Sequence, residues 1–215
     1  MSRIFIPLLA ILFLSLQEPT VRIARLKYGG GGDWYVSPTA LPNLIKFCNE
    51  TINTNIYPQE DIVEPSSPEV FYYPLLYMTG HGRVFFTESD VANLRKYLLG
   101  GGFLLINDSY GMDPYIRPEL KKLFPDRELQ PVPITHPIFN EPFKFPNGLP
   151  KIHKHSGKPP QALGIFDGNR LMVLYVYESD IGDGWEDPLV HNDPPHLREQ
   201  ALKMGANIIH YVFTH

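Results

Sequence analysis

Two continuous apolar runs, Phe71 to Met78 and Phe103 to Ile106, flank a segment in which Val91, Leu94, Tyr97 and Leu98 recur at helical spacing. Continuous runs suit strands covered on both faces, as in parallel sheets. Thr87 with Asp90 three residues on is a helix-start signal, and Gly100 to Gly102 stops the helix. The same unit precedes it. Val21 to Lys27 alternates apolar and basic residues and reads as a strand. Tyr28 to Asp33 is a glycine-rich loop, and Ser37-Pro38 opens a helix with Leu41, Leu44, Ile45 and Cys48 on one face. A short strand is expected at Asp61 to Val63, and a helix carrying Ile116, Leu120 and Leu123 follows the second run. Strands alternating with helices through short joints predict an α/β fold: three layers, a mostly parallel sheet with helices on both faces.

Beyond that helix the pattern changes. Residues 128–164 are proline-rich with little periodicity and read as an insertion or covering loop. Ile165 to Tyr177 reads as a hairpin around Asp167-Gly168, with Leu171 to Tyr177 as a core strand. A polar loop spans Glu178 to Pro195. A last helix carries Leu197, Ala201, Met204, Ile208, Ile209 and Val212 on one face. One domain over residues 20–215 is the expectation for a chain of this length.

Residues 1–19 are set apart. Arg3 precedes an apolar run from Ile4 to Leu16, too short for a standard membrane span of about 20 residues. It fits a secretory signal peptide, or an N-terminal anchor if retained. The protein is therefore expected to be exported, periplasmic or secreted, touching a membrane only through that segment. Cys48 is the single cysteine, so neither an intramolecular disulfide nor a cysteine metal site can form, and it reads as a small core residue. The net charge of -4, without a basic stripe, argues against nucleic-acid binding. The glycine run matches neither nucleotide-binding fingerprint, and no cofactor is expected.

Ligands of open parallel sheets bind outside the carboxyl ends of the strands. Four such ends carry glycine beside polar or aromatic residues: Gly29 to Asp33, Thr79 to Gly82, Asn107 to Gly111 and Glu178 to Trp185. The glycine loop either cradles an anion or is simply a turn. His81 and Asp108 are the candidate acid/base pair; their structural alternatives are a loop-fixing histidine and a capping aspartate. Gly31, Asp33, Trp34, Ser109, Tyr110, Glu178, Asp183 and Trp185 are the candidate ligand-binding residues, with the tryptophans offering ring faces to a sugar-like ligand. Ser109 lacks a G-x-S-x-G frame.

Metal readings are also open. The carboxylates of Glu178, Asp180, Asp183, Glu186 and Asp187 suit a hard cation but do not match the EF-hand spacing, and a solvated acidic loop is the plain alternative. His153 and His155, at spacing two, can bind a metal only if a third ligand comes from elsewhere. A metal-dependent hydrolase built on His81, Asp108 and an acidic-loop residue is a further reading. No metal site is assigned from these patterns.

Several stretches resemble a known family. The run from Phe71 through Gly111 resembles the class I glutamine amidotransferase-like fold, and Leu98-Leu99-Gly100-Gly101-Gly102-Phe103 and His136-Pro137-Ile138 are similar to its trehalose-utilisation (ThuA-like) branch. The chain after Thr20 resembles an uncharacterised bacterial family, domain of unknown function 4159. That likeness rests on Gly30-Gly31-Gly32-Asp33-Trp34-Tyr35, Met78-Thr79-Gly80-His81-Gly82 and Gly182-Asp183-Gly184-Trp185-Glu186-Asp187. The resemblance implies a flavodoxin-like three-layer fold and export, and brings no activity. A working amidotransferase presents a cysteine nucleophile at the joint where this chain has Asn107, Asp108 and Ser109. The expectation is therefore an exported protein with a polar, sugar-like ligand-binding or hydrolase-like site and no glutaminase activity; the alternative is a non-catalytic envelope domain that docks a protein partner.

Overall fold

The computed structural model describes residues 20–215, so the candidate signal segment, residues 1–19, lies outside the described residues. Among the described residues seven strands form one sheet: β1 (Ala24–Leu26), β2 (Asp61–Val63), β3 (Leu75–His81), β4 (Phe103–Tyr110), β5 (Gln130–Pro131), β6 (Gln161–Asp167) and β7 (Arg170–Tyr177). Their order is β2-β1-β3-β4-β7-β6-β5. The first five in that order run parallel, while β6 and β5 pair antiparallel along one side. The expected α/β architecture with a mostly parallel sheet is thus present. No helix among the described residues is long and apolar enough to cross a membrane.

Five helices surround the sheet: α1 (Ala40–Thr51), α2 (Glu88–Leu99), α3 (Asp113–Leu123), α4 (Pro188–His191) and α5 (Pro195–Thr214). Pleating sorts the core into two halves, because alternate strand residues face opposite sides. Tyr77, Phe103 and Leu105 pack with Leu41, Leu44, Met204 and Ile208, under α1 and α5. Leu76, Met78, Leu104 and Ile106 pack with Leu94, Leu98, Ile116 and Leu120, under α2 and α3. The capping box at the start of α2 forms as expected. The Thr87 hydroxyl accepts from the Asp90 amide, and the Asp90 carboxylate accepts from the Thr87 amide at 2.9 Å.

Several boundaries differ from the sequence reading. The apolar run at Phe71 is interrupted: Pro68–Tyr72 forms a 3-10 turn with Phe71 and Tyr72 exposed, and β3 begins only after Pro74. The first strand shortens to Ala24–Leu26, and Arg25 within it is buried rather than solvated. Its guanidinium donates to the carbonyls of Val36 at 2.6 Å and Ser37 at 3.0 Å and to Glu60 at 3.1 Å, which ties down the loop that follows β1. Helix α1 starts after Ser37-Pro38, because Ser37 has φ 55° and turns its side chain towards Asp183. Strand β4 continues to Tyr110, so Asn107, Asp108 and Ser109 lie in the strand itself. Strand β6 begins at Gln161, inside the proline-rich segment. In that segment His136 caps a 3-10 turn, its ring accepting from the Ile138 amide at 3.3 Å.

Candidate functional site

Because β4 extends to Tyr110, its pleat decides where its polar residues go. Asn107 and Ser109 continue the face of Phe103 and Leu105, beneath α1 and α5, and Asp108 continues the face of Leu104 and Ile106. The strand end therefore feeds two separate polar groups.

Asp108 is buried. One carboxylate oxygen accepts from the Met112 amide at 3.0 Å and the other from the Tyr175 hydroxyl at 2.9 Å; Tyr175 also reaches Asp113 at 3.0 Å. Burial raises the Asp108 carboxyl above its ordinary range, and these donors only partly offset it. Asp108 opens onto a cleft of about 290 Å³ shared with Tyr110, His155, Ser156, Lys158 and Glu178. Glu178 is perturbed the other way. Burial would raise it, but hydrogen bonds from Ser156 (2.6 Å) and Lys151 (3.1 Å) outweigh burial and hold it below the usual range. Tyr110 stacks on His155 with ring centroids 4.8 Å apart.

His81 and Asp108 were expected to act as a pair. The structure gives them different partners. His81 stands opposite Tyr110 across the β3–β4 ladder, and its ring Nδ1 meets Asp33 at 2.9 Å. Asp33 also accepts from the His81 amide at 2.5 Å, and its carboxyl lies below the ordinary range: burial would raise it, but both His81 contacts pull it down. So Asp33 orients His81, and that pair sits where the strand order reverses, between the parallel neighbours β1 and β3. The glycine loop is engaged as structure: the Gly32 amide donates to the Arg83 carbonyl at 3.0 Å, and Gly29 bridges to Phe85. Gly31 is exposed at its tip.

The other face carries a denser group, beneath α1 and α5. The Asn107 amide donates to Asp180 Oδ1 at 3.0 Å, while Ser109 meets Thr79 at 3.0 Å. Asp180 Oδ2 faces His155 Nε2 at 3.1 Å and His153 Nδ1 at 3.8 Å. Asp183 Oδ2 meets the same His153 Nδ1 at 2.9 Å. Asp193 Oδ1 meets the opposite ring nitrogen, Nε2, at 3.3 Å. His191 stands beside them, 2.7 Å from Glu186 and 3.5 Å from Asp183. The hydrogen bond with Asp183 pushes the His153 imidazole up to about 9 against the opposing effect of burial. His155 is raised through Asp180. Burial raises Asp180, and the neighbouring Asp183 carboxylate adds to this. For Asp183 burial acts upward too, but the hydrogen bond from His153 and the charge of His191 hold it low.

Of the residues singled out from sequence, Glu178 lines the Asp108 cleft and Asp183 lies against His153 in the other group. Sequence reasoning put Trp185 on the ligand surface. Trp185 is instead fully buried, packed on Tyr77 at 5.7 Å, with its indole N–H donating to the Ala201 carbonyl at 2.8 Å. It belongs to the core. Trp34 is half-buried against the α2-side core, edge-on to an exposed Tyr35. The glycines around Asp183 have a packing reason: a Cβ on Gly182 would lie 2.5 Å from the Tyr77 hydroxyl, and one on Gly184 2.5 Å from Ala201 Cβ. Ser37, Asn107 and Asp193 were not singled out as parts of one group with His153 and His155. The only local signal was the His-x-His spacing.

A cavity of about 480 Å³ lies elsewhere. It is lined by Pro131, Pro137, Phe166, Gly168 and Tyr211, beside the turn that begins β7 and so at the amino end of that strand. It gathers no carboxylates, unlike the edge where β3, β4 and β7 end. A family model described as domain of unknown function (DUF4159) matches residues 22–213. No curated protein matches the chain.

Proposed function

We propose, for a chain that belongs to the DUF4159 family, that the cleft at the carboxyl ends of the strands binds a small polar, sugar-like ligand and supports hydrolase-like acid/base chemistry. One observation carries this reading. Two carboxyls on one cleft are driven apart, Asp108 upward by burial and Glu178 downward by Ser156 and Lys151. Opposed environments of that kind separate an acid from a charged partner at one pH. Asp108 serves as the proton donor, Glu178 and Lys158 position polar groups, and Tyr110 offers an aromatic face. The Asp33–His81 pair, at the neighbouring end of β3, leaves His81 Nε2 to meet a ligand.

The strand order β2-β1-β3-β4-β7, with helices on both faces, supports a place in the class I glutamine amidotransferase-like superfamily. Glutaminase chemistry is not part of the proposal: Cys48 is buried in the core under α1, and the end of β4 carries no thiol. Export is part of it, on the strength of Arg3 and the apolar run from Ile4 to Leu16.

The test is a thermal-shift and turnover screen of the full chain against neutral sugars, sugar acids and chromogenic glycosides and esters. A compound of this class should raise the melting temperature of the wild type and of a remote His210→Gln control. Asp108→Asn and Lys158→Ala should abolish the shift. A screen in which no polar compound shifts or turns over defeats the reading in favour of a non-catalytic envelope domain.

A further inference from the structure

We propose that His153, His155 and Asp180 form a binding site for one divalent cation of the zinc type, with the fourth position of a four-coordinate ion open to water. The site borders the cleft and shares His155 with it. Three side chains converge, one donor atom of each within 4.8 Å of the others: His153, His155 and Asp180. Asp183 stands on the other side of His153, in a second such trio with His191. His155 Nε2 stands 3.1 Å and His153 Nδ1 3.8 Å from Asp180 Oδ2. Ligands about 2.0–2.2 Å from a zinc ion stand roughly 3.3–3.6 Å apart in a tetrahedron. The observed spread brackets that spacing, so small side-chain rotations admit an ion.

The surroundings of these atoms provide the second, independent support. Asp180, Asp183 and His153 each have their other polar atom held by a neighbour. Asn107 donates to Asp180 Oδ1 at 3.0 Å and Ser37 to Asp183 Oδ1 at 3.2 Å, which leaves both Oδ2 atoms turned inward. Asp193 Oδ1 stands 3.3 Å from His153 Nε2, so once an ion displaces the Nδ1 proton that faces Asp183, the remaining ring proton is held there. A carboxylate behind a ligating imidazole is the usual way proteins fix the tautomer and orientation of a metal ligand. Asp193 Oδ2 is itself buried and has no hydrogen-bond partner. Asp180 is buried and adopts φ 56°, a left-handed backbone that costs a non-glycine residue energy and is kept here where it aims the carboxylate.

The donor set chooses the ion. Two imidazole nitrogens and a carboxylate oxygen suit zinc and its borderline neighbours. Calcium asks for six to eight oxygens and magnesium for an oxygen octahedron. His191 is excluded from the set because its Nε2 is engaged by Glu186 at 2.7 Å.

The experiment uses the untagged full chain, stripped with chelator and then equilibrated with zinc(II). Bound metal is measured by mass spectrometry and affinity by competition with a chelating dye. One zinc per chain is expected. Asp180→Asn and His155→Gln should each weaken zinc at least tenfold, and Asp193→Asn about 10–100-fold, as loss of an outer partner does. The remote His210→Gln control should bind as wild type. Cobalt(II) in place of zinc should give the intense visible absorption of a four-coordinate ion. The proposal is overturned if the wild type retains no zinc, if the variants bind as well as wild type, or if cobalt gives the weak spectrum of six-coordination. His155 is partly exposed, so His155→Gln keeps the test alive should Asp180→Asn fail to fold by circular dichroism. Zinc binding is scored without any sugar or ester, so its failure is distinguishable from failure of the ligand screen.

Discussion

The Ser37 hydroxyl donates to Asp183 Oδ1 at 3.2 Å, joining the loop after β1 to the loop after β7 across 146 residues of sequence. Ser37 holds φ 55° to do so. Ser37→Ala removes the donor and keeps the strained backbone, at a cost of about 1–3 kcal/mol. Ser37→Gly removes the same donor but relieves the left-handed residue, which returns about 1 kcal/mol. Urea denaturation should rank wild type, glycine variant, alanine variant in falling stability. An alanine variant at least as stable as the glycine variant contradicts the strain at this position.

Asp108 predicts a pH effect. Its folded carboxyl is raised by burial above the ordinary value of 3.8. The folded state then holds a proton that the unfolded chain has released, so this contribution is complete below the unfolded value and is lost as pH rises through the folded one. Other carboxylates, such as Asp61 beside Arg22, are lowered and act oppositely. The readout is therefore the stability of wild type minus that of Asp108→Asn. That difference should fall as pH rises from the ordinary carboxylate range, and a flat difference would show that Asp108 titrates normally.

Trp185 packs as core. Trp185→Ala should cost about 3–5 kcal/mol, as truncation of a buried aromatic does. Trp185→Phe should cost less, chiefly the lost hydrogen bond to the Ala201 carbonyl. Trp34, only half-buried, should tolerate alanine better. Chemical denaturation of the three variants decides this, and a fully stable Trp185→Ala would return that ring to the ligand surface.

Cys48 is buried, and burial pushes its thiol up to about 12. At pH 8 almost no thiolate exists, so alkylation in the native state should be slow and should accelerate sharply in denaturant. Rapid native labelling would mean that the α1 face opens readily.

Much of the frame could be read from the chain. The α2 capping box joins residues three apart, Thr87 and Asp90, and needs only local geometry. The apolar runs of β3 and β4 announced strands covered on both sides, but both strands run past the ends read from the sequence, β3 to His81 and β4 to Tyr110. Glu178 and Asp183 were legible because they follow an apolar strand in a polar loop. Trp185 was misplaced because its neighbours in sequence are polar, while its neighbours in space are Tyr77 and α5.

The sequence by itself determined the alternation of strands and helices, the caps and the edge where polar loops gather, because those depend on periodicity and on contacts between near neighbours. Tertiary structure alone decided which polar residues meet. The β4 pleat sent Asp108 to one face and Asn107 to the other, a choice that depends on where the strand ends. Placing β7 beside β4 then brought Asp180 within reach of Asn107, 73 residues away, and of His155, 25 residues away. No local spacing encodes such meetings, since strand order and register set them and each is fixed only when the two core halves pack.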